Sequence, residues 1–232
     1  MNRFIHFGEG LFETFKVEGG KLPGLFEYHY ERLKEGAKFF EIPCPPFEVF
    51  KGFVENRIRF IKKVGGTFYV KVLLLSLGEP YFGGRSIDYR LDIVVKPFNP
   101  PKGPFTLTVS SFRRHSCNPL FRFKTLNYLF NIKVKREALK EGFYDALILN
   151  EKNHITETSS ANFYCLTKDG TLITPPLEEG LLPGITRRYL LETGRAVEGS
   201  LTLNDLKRCK KFFISNALLG LKEVQLAREL LK

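Results

Sequence analysis

The chain has 232 residues, 43% of them hydrophobic and 26% charged, and a formal net charge of +11 at pH 7. This composition is that of a globular protein with a full core, and it excludes an intrinsically disordered chain. No apolar run approaches the roughly 20 residues that a membrane span needs, and the N-terminus has no hydrophobic stretch of signal-peptide length. We therefore predict a cytoplasmic protein with no membrane partner.

The excess of basic residues raises the possibility of a nucleic-acid-binding protein. The lysines and arginines are spread along the chain and mixed with acids, as in VKREALKEG (134–142), and no RNP, zinc-finger or helix-turn-helix signature accompanies them. A basic surface equally suits the steering of small anions. We predict no nucleic-acid partner, and keep a basic nucleic-acid-binding protein as the rival from a different functional class.

The cysteines are scattered too widely to form a CxxC-type metal or redox pair. They are Cys44, Cys117, Cys165 and Cys209. This spacing predicts four reduced thiols with structural roles and no metal site.

The first half predicts helices on a mostly antiparallel sheet. Its segments are a strand with a hairpin turn at Gly19-Gly20 (10–22), a helix (25–42), a second helix closed by glycines (47–66) and two strands (67–78 and 89–98). In the first helix, Pro43 ends the segment, and one face is marked by residues at helical spacing: Phe26, His29, Leu33, Ala37 and Phe40.

The stretch KPFNPPKGPF (96–105) has four prolines in ten positions, which is typical of a linker. We therefore predict a small N-terminal domain over residues 1–98, a linker over 99–105 and a larger C-terminal domain over 106–232.

The second half alternates strands and helices. We predict a strand (105–112), a helix ended by Gly142 (125–142), two strands around the turn EKNH (145–150 and 155–167), a third strand (171–176), a helix entered through Pro183-Gly184 (182–194), a strand with a loop (210–220) and a final amphipathic helix (221–232).

Three features of this half suit one kind of site. Lys124 lies among apolar residues in FRFKTLNYLF (121–130), Glu157 interrupts a strand otherwise made for burial, and GIT (184–186) opens a helix whose free N–H groups could hold a phosphate. A lysine, a carboxylate and a phosphate cradle are what a pyridoxal phosphate enzyme requires. Taken singly, each has an ordinary structural explanation: a snorkelling lysine, a surface acid and an unliganded helix end.

The order of these features resembles the fold type IV pyridoxal phosphate enzymes, which include branched-chain aminotransferase, D-amino acid aminotransferase and 4-amino-4-deoxychorismate lyase. The resemblance runs from about residue 7 to 224. Its blocks are FGEGLFETFKV, YHYERLKEGAKFFEIP, KTLNYLFNIKVKREALKEGFYDALIL, ITETSSANFY and LITPPLEEGLLPGITR. It implies an α/β (α+β type) two-domain fold with the cofactor at the domain interface, and a homodimer.

The resemblance also implies roles for individual residues. Lys124 would form the Schiff base and Glu157 would pair with the pyridine nitrogen. The phosphate would be held by Arg32 and by the backbone of Ile185, Thr186, Asn216 and Ala217. Tyr128 would either contact the cofactor or pack on the helix.

Several details resemble the lyases more than the aminotransferases. SNALLGLKEV (215–224) resembles their Asn-Ala-Leu loop, Thr14 is placed as a proton donor beside Phe12 in the substrate region, and Arg85 in YFGGRSI is a candidate for a substrate carboxylate. The Arg and His pair of D-amino acid aminotransferases is not found. The resemblance thus implies conversion of anionic 4-amino-4-deoxychorismate to 4-aminobenzoate and pyruvate in folate biosynthesis. The alternative is a branched-chain or D-amino acid aminotransferase.

Overall fold

A computed structural model describes residues 1–231 and divides the chain into two compact units. The first unit consists of Met1–Pro100 and Phe123–Asn127, and the second consists of Pro101–Arg122 and the residues from Tyr128 onward. Both contain helices and strands, as the α/β prediction requires.

The helices of the described chain are Arg3–Phe7 (α1), Phe26–Phe39 (α2), Phe47–Ile58 (α3), Ile61–Val64 (α4), Leu129–Lys140 (α5) and Ile185–Glu192 (α6). Its 3-10 turns are Pro119–Arg122, Leu177–Glu179, Asp205–Arg208 and Arg228–Leu231. Its strands are Gly10–Glu18 (β1), Thr67–Gly78 (β2), Ser86–Pro97 (β3), Thr106–Arg114 (β4), Asp145–Asn150 (β5), Ile155–Thr158 (β6), Asn162–Thr167 (β7), Leu172–Thr174 (β8), Val197–Glu198 (β9), Cys209–Asn216 (β10) and Gly220–Leu226 (β11).

The first unit is a three-stranded antiparallel sheet in the order β1-β2-β3. Alternate residues of β1 and β2 are buried, among them Phe15 and Val17 opposite Val70 and Phe68. Helix α2 contacts β1, and its buried face contains Leu33. Because side chains alternate across a strand, the intervening residues of β1 and β2 lie on the opposite face of the sheet.

The second unit is an eight-stranded sheet in the order β10-β11-β4-β5-β6-β7-β8-β9. Strand β10 also pairs with β7, so the sheet closes on itself. Its core contains fully buried side chains such as Leu107, Leu147 and Phe163. Helix α5 packs Val134 and Ala138 on β5, as its apolar spacing predicts.

The segment around Lys124 differs from the prediction of a helix beginning at residue 125. Residues 123–127 run beside β1: the Phe12 N–H donates to the Lys124 carbonyl, and the Leu126 N–H donates to the Gly10 carbonyl. The helix begins only at Leu129, a residue that is 80% exposed. The edge of β1 offers backbone partners that this apolar segment can use, and for that reason it belongs to the first unit rather than to the predicted 106–232 domain.

Gly220–Leu226 is a strand, whereas a helix was predicted over 221–232, and that prediction is wrong for the described residues; Lys232 lies outside them. Val224 and Leu226 are buried at a spacing of two in β11, which lies between β10 and β4. A short apolar run fits either period, and here pairing with two neighbouring strands decides in favour of the strand. A 3-10 turn, Arg228–Leu231, follows.

Two predictions for the first half also need correction. The turn at Gly19-Gly20 forms with positive φ at both glycines, but only a single Glu18–Lys21 bridge follows it, because β1 pairs along its length with β2. The helix predicted over 47–66 is two helices, α3 and α4.

The prediction of four reduced thiols is wrong for two of them. Cys165 on β7 and Cys209 at the start of β10 form a disulfide, with 5.8 Å between their Cα atoms. They are 44 residues apart in sequence, and only the pairing of β7 with β10 brings them together. Cys44 and Cys117 are free.

Within residues 1–231, no helix is long and apolar enough to cross a membrane.

Candidate active site

Two lysines contact the ring of Phe12 in the first unit. The Lys124 Nζ is 4.3 Å from the centre of that ring, and the Lys71 Nζ is 4.0 Å from the same centre. Lys71 is directly opposite Thr14 in the β1–β2 ladder. Since Phe12 and Thr14 are two residues apart on one strand, they share a face of the sheet. The structure thus brings together three of the predicted residues, Phe12, Thr14 and Lys124, and adds Lys71.

The charge of Lys124 acts on Lys71. Burial lowers the pKa of Lys71, and the positive charge of Lys124 lowers it further. Ammonium groups near the face of an aromatic ring gain a cation–π attraction, which offsets part of their mutual repulsion. This concentration of positive charge suits an anionic substrate.

Thr14 lies close to Tyr69. Burial raises the pKa of the Tyr69 phenol, although the neighbouring Thr14 hydroxyl, which can donate to the phenolate, opposes that rise. Tyr69 is opposite Lys16 in the ladder and therefore lies on the face that carries Thr14. Two neutral hydroxyls in contact can pass a proton along the pair.

Arg32, predicted as a phosphate ligand, is held by a buried carboxylate. Its Nε and one terminal nitrogen donate to the two oxygens of Glu13, at 2.8 and 2.7 Å. The His29 Nδ1 lies 2.6 Å from the same carboxylate. Burial alone would raise the pKa of Glu13, but the charge of Arg32 and the bonds from His29 and Arg32 lower it to about 2. Burial lowers the pKa of His29.

Arg85 lies on the loop between β2 and β3. Its side chain is 82% exposed, and its nearest acid is Glu79, with 3.9 Å between the Arg85 Nε and a carboxylate oxygen. Seven residues of strand separate Lys71 from Gly78 at the end of β2, which is roughly 23 Å. The first unit therefore does not bring Arg85 beside Thr14, and its substrate role stays a prediction.

Glu157 is the centre of a buried network in the second unit. Only 5% of its surface is exposed. Its Oε1 accepts hydrogen bonds from Nη1 of Arg114 and from the Leu182 N–H at 3.3 Å. Its Oε2 accepts one from the Asn162 amide at 3.0 Å.

This network fits a protonated ring nitrogen. A carboxylate oxygen accepts about two hydrogen bonds. Within the described chain, Oε1 of Glu157 has two donors, whereas Oε2 has only the Asn162 amide. One further donor is therefore accommodated at Oε2, as a pyridinium N–H would require.

The predicted phosphate turn is tied to the same network. The second Asn162 amide hydrogen goes to the Leu182 carbonyl at 2.9 Å, and any side chain at Gly184 would overlap the Asn162 oxygen. Gly184 caps α6, so the first N–H groups of that helix, those of Ile185 and Thr186, have no partner within it. Such N–H groups and the positive helix end suit a phosphate.

The Asn216–Ala217 loop is shaped by its own asparagine. The Asn216 side-chain oxygen accepts the N–H groups of Leu218 and Leu219, and its amide donates to the Ser160 carbonyl. Because the Asn216 side chain already makes these hydrogen bonds within the protein, a phosphate contact here would come from the main chain, as predicted.

Tyr128 caps the start of α5, where its carbonyl accepts the Ile132 N–H. The two roles left open for its ring remain predictions.

An open cavity of about 670 Å³ in the first unit contains none of the predicted site residues. It is lined by Gly19, Gly20, Lys21, Leu22, Glu55, Ile58, Arg59 and Lys62. Within residues 1–231, no cluster of three or more His, Cys, Asp or Glu side chains could hold a metal ion.

Sequence reasoning missed Arg114 and Lys71, and it gave Glu13 no role. The signal for Glu13 was present, because it is an acid at a position that strand alternation places on the buried face. Arg113 and Arg114 are adjacent on β4, so one of them had to point inward. Lys71 gave no comparable signal.

Residues 10–226 match the family model of class IV aminotransferases. The chain belongs to this family. It is therefore an enzyme of a pyridoxal phosphate-dependent family with pyridoxal phosphate as its cofactor, and the predicted resemblance, fold class and cofactor are confirmed.

Relatives of this class IV chain include both lyases and aminotransferases. A crystal structure of a Legionella pneumophila protein, named provisionally as a 4-amino-4-deoxychorismate lyase, has 32% identity and a TM-score of 0.87, covering 98% of this chain and 87% of that one. The aminodeoxychorismate lyase of Bacillus subtilis is 26% identical over 92% of this chain and 75% of its own. Branched-chain-amino-acid aminotransferase 5 of Arabidopsis thaliana is 28% identical over 95% of this chain, which spans only 58% of that relative.

Proposed function

We propose that the protein is a lyase that converts 4-amino-4-deoxychorismate to 4-aminobenzoate and pyruvate in folate biosynthesis. The observation that carries this proposal is the Thr14–Tyr69 hydroxyl pair, on the face of the sheet where Phe12 and the two lysines meet. A lyase must protonate its departing group, and this pair offers the proton. Similarity to the Legionella and Bacillus proteins supports the same reaction.

The charge on this face suits the substrate, which carries carboxylates. Lys71 supplies a cation beside Thr14 that remains when Lys124 is engaged with the cofactor. A hydrogen-bonded charge pair with a carboxylate is worth about 1.5–3 kcal/mol. The role of Arg85 towards a substrate carboxylate is kept as a proposal that rests on the family resemblance alone, because the first unit does not bring Arg85 beside Thr14.

Pyridoxal phosphate supplies an electron sink for a substrate amine bound to it. Lys124 first anchors the cofactor and, once released, takes the proton from the carbon that bears the amine. The bond between the substrate ring and the enolpyruvyl oxygen then breaks. Thr14 protonates the departing group, which becomes pyruvate, and Tyr69 passes a proton to Thr14. Loss of the proton and of the enolpyruvyl group leaves an aromatic ring, which drives the step forward.

Other predicted site residues would bind the ring nitrogen and the phosphate of the cofactor. Glu157 would accept the hydrogen bond of the pyridine nitrogen. In the first unit, Arg32, fixed by Glu13, would bind the phosphate. In the second unit, the N–H groups of Ile185 and Thr186 and the main chain of Asn216 and Ala217 would bind it too. We also propose a homodimer.

The second candidate is a branched-chain aminotransferase. The Arabidopsis relative and other branched-chain aminotransferases match most of the chain, and transamination would use the same lysine and carboxylate. Only the protonating pair and the substrate cations separate the two proposals.

The visible spectrum and two assays test the proposal. The purified protein should show a cofactor band that borohydride reduction removes and attaches to Lys124. Lys124→Ala should lose it, while Lys133→Ala on α5 keeps it. Pyruvate release from 4-amino-4-deoxychorismate, reduced at least tenfold in Thr14→Val, supports the lyase. Keto acid-dependent transamination without pyruvate release would establish the aminotransferase instead.

A further inference from the structure

Arg114 occupies an unusual place for an arginine. It ends β4, its side chain is 2% exposed, and its Nη1 donates to Oε1 of Glu157. The guanidinium carbon lies 4.7 Å from the ring centre of Phe121 and 5.4 Å from that of Phe130. A contact of 3.4 Å with the Gly180 carbonyl is its other hydrogen bond.

Burial of the Arg114 guanidinium costs free energy of folding. The Arg114 Nε is buried and has no hydrogen-bond partner among residues 1–231. Desolvation of a buried ion pair commonly cancels its Coulomb energy, and well-packed apolar replacements are often neutral or stabilising. With Phe121 and Phe130 beside it, an apolar side chain would fit this position. An ion pair that does little for stability is better explained by the chemistry at Glu157.

We infer that Arg114 is the positioning residue of Glu157, which it holds as the anionic partner of the cofactor's ring nitrogen. This inference rests on the proposed role of Glu157. Arg114 acts in two ways. It occupies Oε1 together with the Leu182 N–H and so leaves Oε2 for the ring, and it supplies the counter-charge that a buried carboxylate requires.

The counter-charge decides where the shared proton resides. With Arg114 present, a charged carboxylate and a protonated pyridine form a stable pair beside a cation. Without the cation, a buried site favours the neutral pair, in which the proton moves from the ring nitrogen to Glu157. A neutral pyridine is a weaker electron sink, so the chemical step slows although the cofactor stays bound.

The test follows the ring nitrogen directly. The enzyme is reconstituted with pyridoxal phosphate carrying ¹⁵N in its ring, and the ¹⁵N chemical shift is recorded for wild type, Arg114→Met and Arg114→Gln. Arg113→Met is the matched control. Arg113 is adjacent to Arg114 on β4, but its side chain donates to the Asn150 carbonyl and to the Asn153 side chain rather than to Glu157. We expect both Arg114 variants to move the shift towards that of an unprotonated pyridine and the control to leave it unchanged. We also expect kcat to fall roughly 10- to 100-fold, with KM nearly constant.

An unchanged ¹⁵N shift in a folded Arg114 variant overturns the inference, even if the variant is less stable. Should Arg114→Met fail to fold, Arg114→Gln decides, because it removes the charge while keeping a polar amide in the shorter side chain. The variant Glu157→Gln distinguishes a failure of the inference about Arg114 from a failure of the proposed role of Glu157. If Glu157→Gln leaves the ring nitrogen as in wild type, the role of Glu157 itself is refuted, whatever Arg114 does.

Discussion

The buried Glu13 carboxylate makes a strong prediction for the first unit. Glu13→Gln keeps the size of the side chain but removes the charge between His29 and Arg32. The Arg32 guanidinium then loses its anionic partner in a largely buried position, which destabilises the fold. We expect a lower free energy of unfolding at pH 7 and a changed response to acid.

The pKa of Glu13 sets the magnitude. It falls from an ordinary 4.5 to about 2 on folding, and each pKa unit is worth about 1.4 kcal/mol, so the native environment of the charged carboxylate contributes about 3 kcal/mol. Because the folded pKa is the lower one, this stability is fully present above about pH 4.5 and is lost as the pH falls towards 2. The lowered pKa of His29 acts in the same direction but begins at its ordinary value of 6.5.

Urea unfolding from pH 7 to pH 2.5 measures both effects. Circular dichroism gives the transition, and hydrogen exchange at the amides of α2 assigns it to the first unit. Glu35→Gln, at an exposed position of the same helix, is the control and should change stability by less than about 0.5 kcal/mol. Glu13→Gln should be less stable by about 3 kcal/mol at pH 7, and the difference from wild type should shrink below pH 4.5.

Parallel stability curves for wild type and Glu13→Gln across this pH range would refute the reasoning. So would a loss at pH 7 no larger than that of Glu35→Gln.

Three further predictions concern other parts of the molecule. Cys209→Ser opens the 44-residue loop closed by Cys165 and should lower the free energy of unfolding by about 4 kcal/mol, and thiol titration of the denatured wild type should rise from two to four groups on reduction. Lys71→Met should raise the KM for 4-amino-4-deoxychorismate roughly tenfold in the pyruvate-release assay while the cofactor band remains, and an unchanged KM would remove Lys71 from the substrate site. Gly184→Ala forces a methyl group against Asn162 and should weaken pyridoxal phosphate binding about tenfold by equilibrium titration; wild-type affinity would show that the turn has room to spare.

Several features of the fold could be predicted because they depend on local patterns. Strands β2 and β3 and helices α2, α5 and α6 follow from period-two or helical spacing and from caps such as Gly142, which has a left-handed conformation just after α5. Family membership could be predicted too, because it rests on the order of short motifs along the chain rather than on their contacts.

The candidate site was only half visible in this way. The sequence indicated Lys124, Glu157 and the α6 turn from residue type and position. It did not indicate what fixes them: Arg32 has Glu13 as its partner, and Glu157 has Arg114, 43 residues away.

The sequence by itself determined the periodic elements, the composition and the motif order. Only the tertiary structure decided that the segment of Lys124 lies beside β1, that Gly220–Leu226 is a strand, and that Cys165 forms a disulfide with Cys209. The physical reason is common to all three. Each depends on partners that are distant in sequence, either backbone groups of another strand or a thiol on a paired strand. The sequence of an isolated segment does not show which distant groups it will pair with.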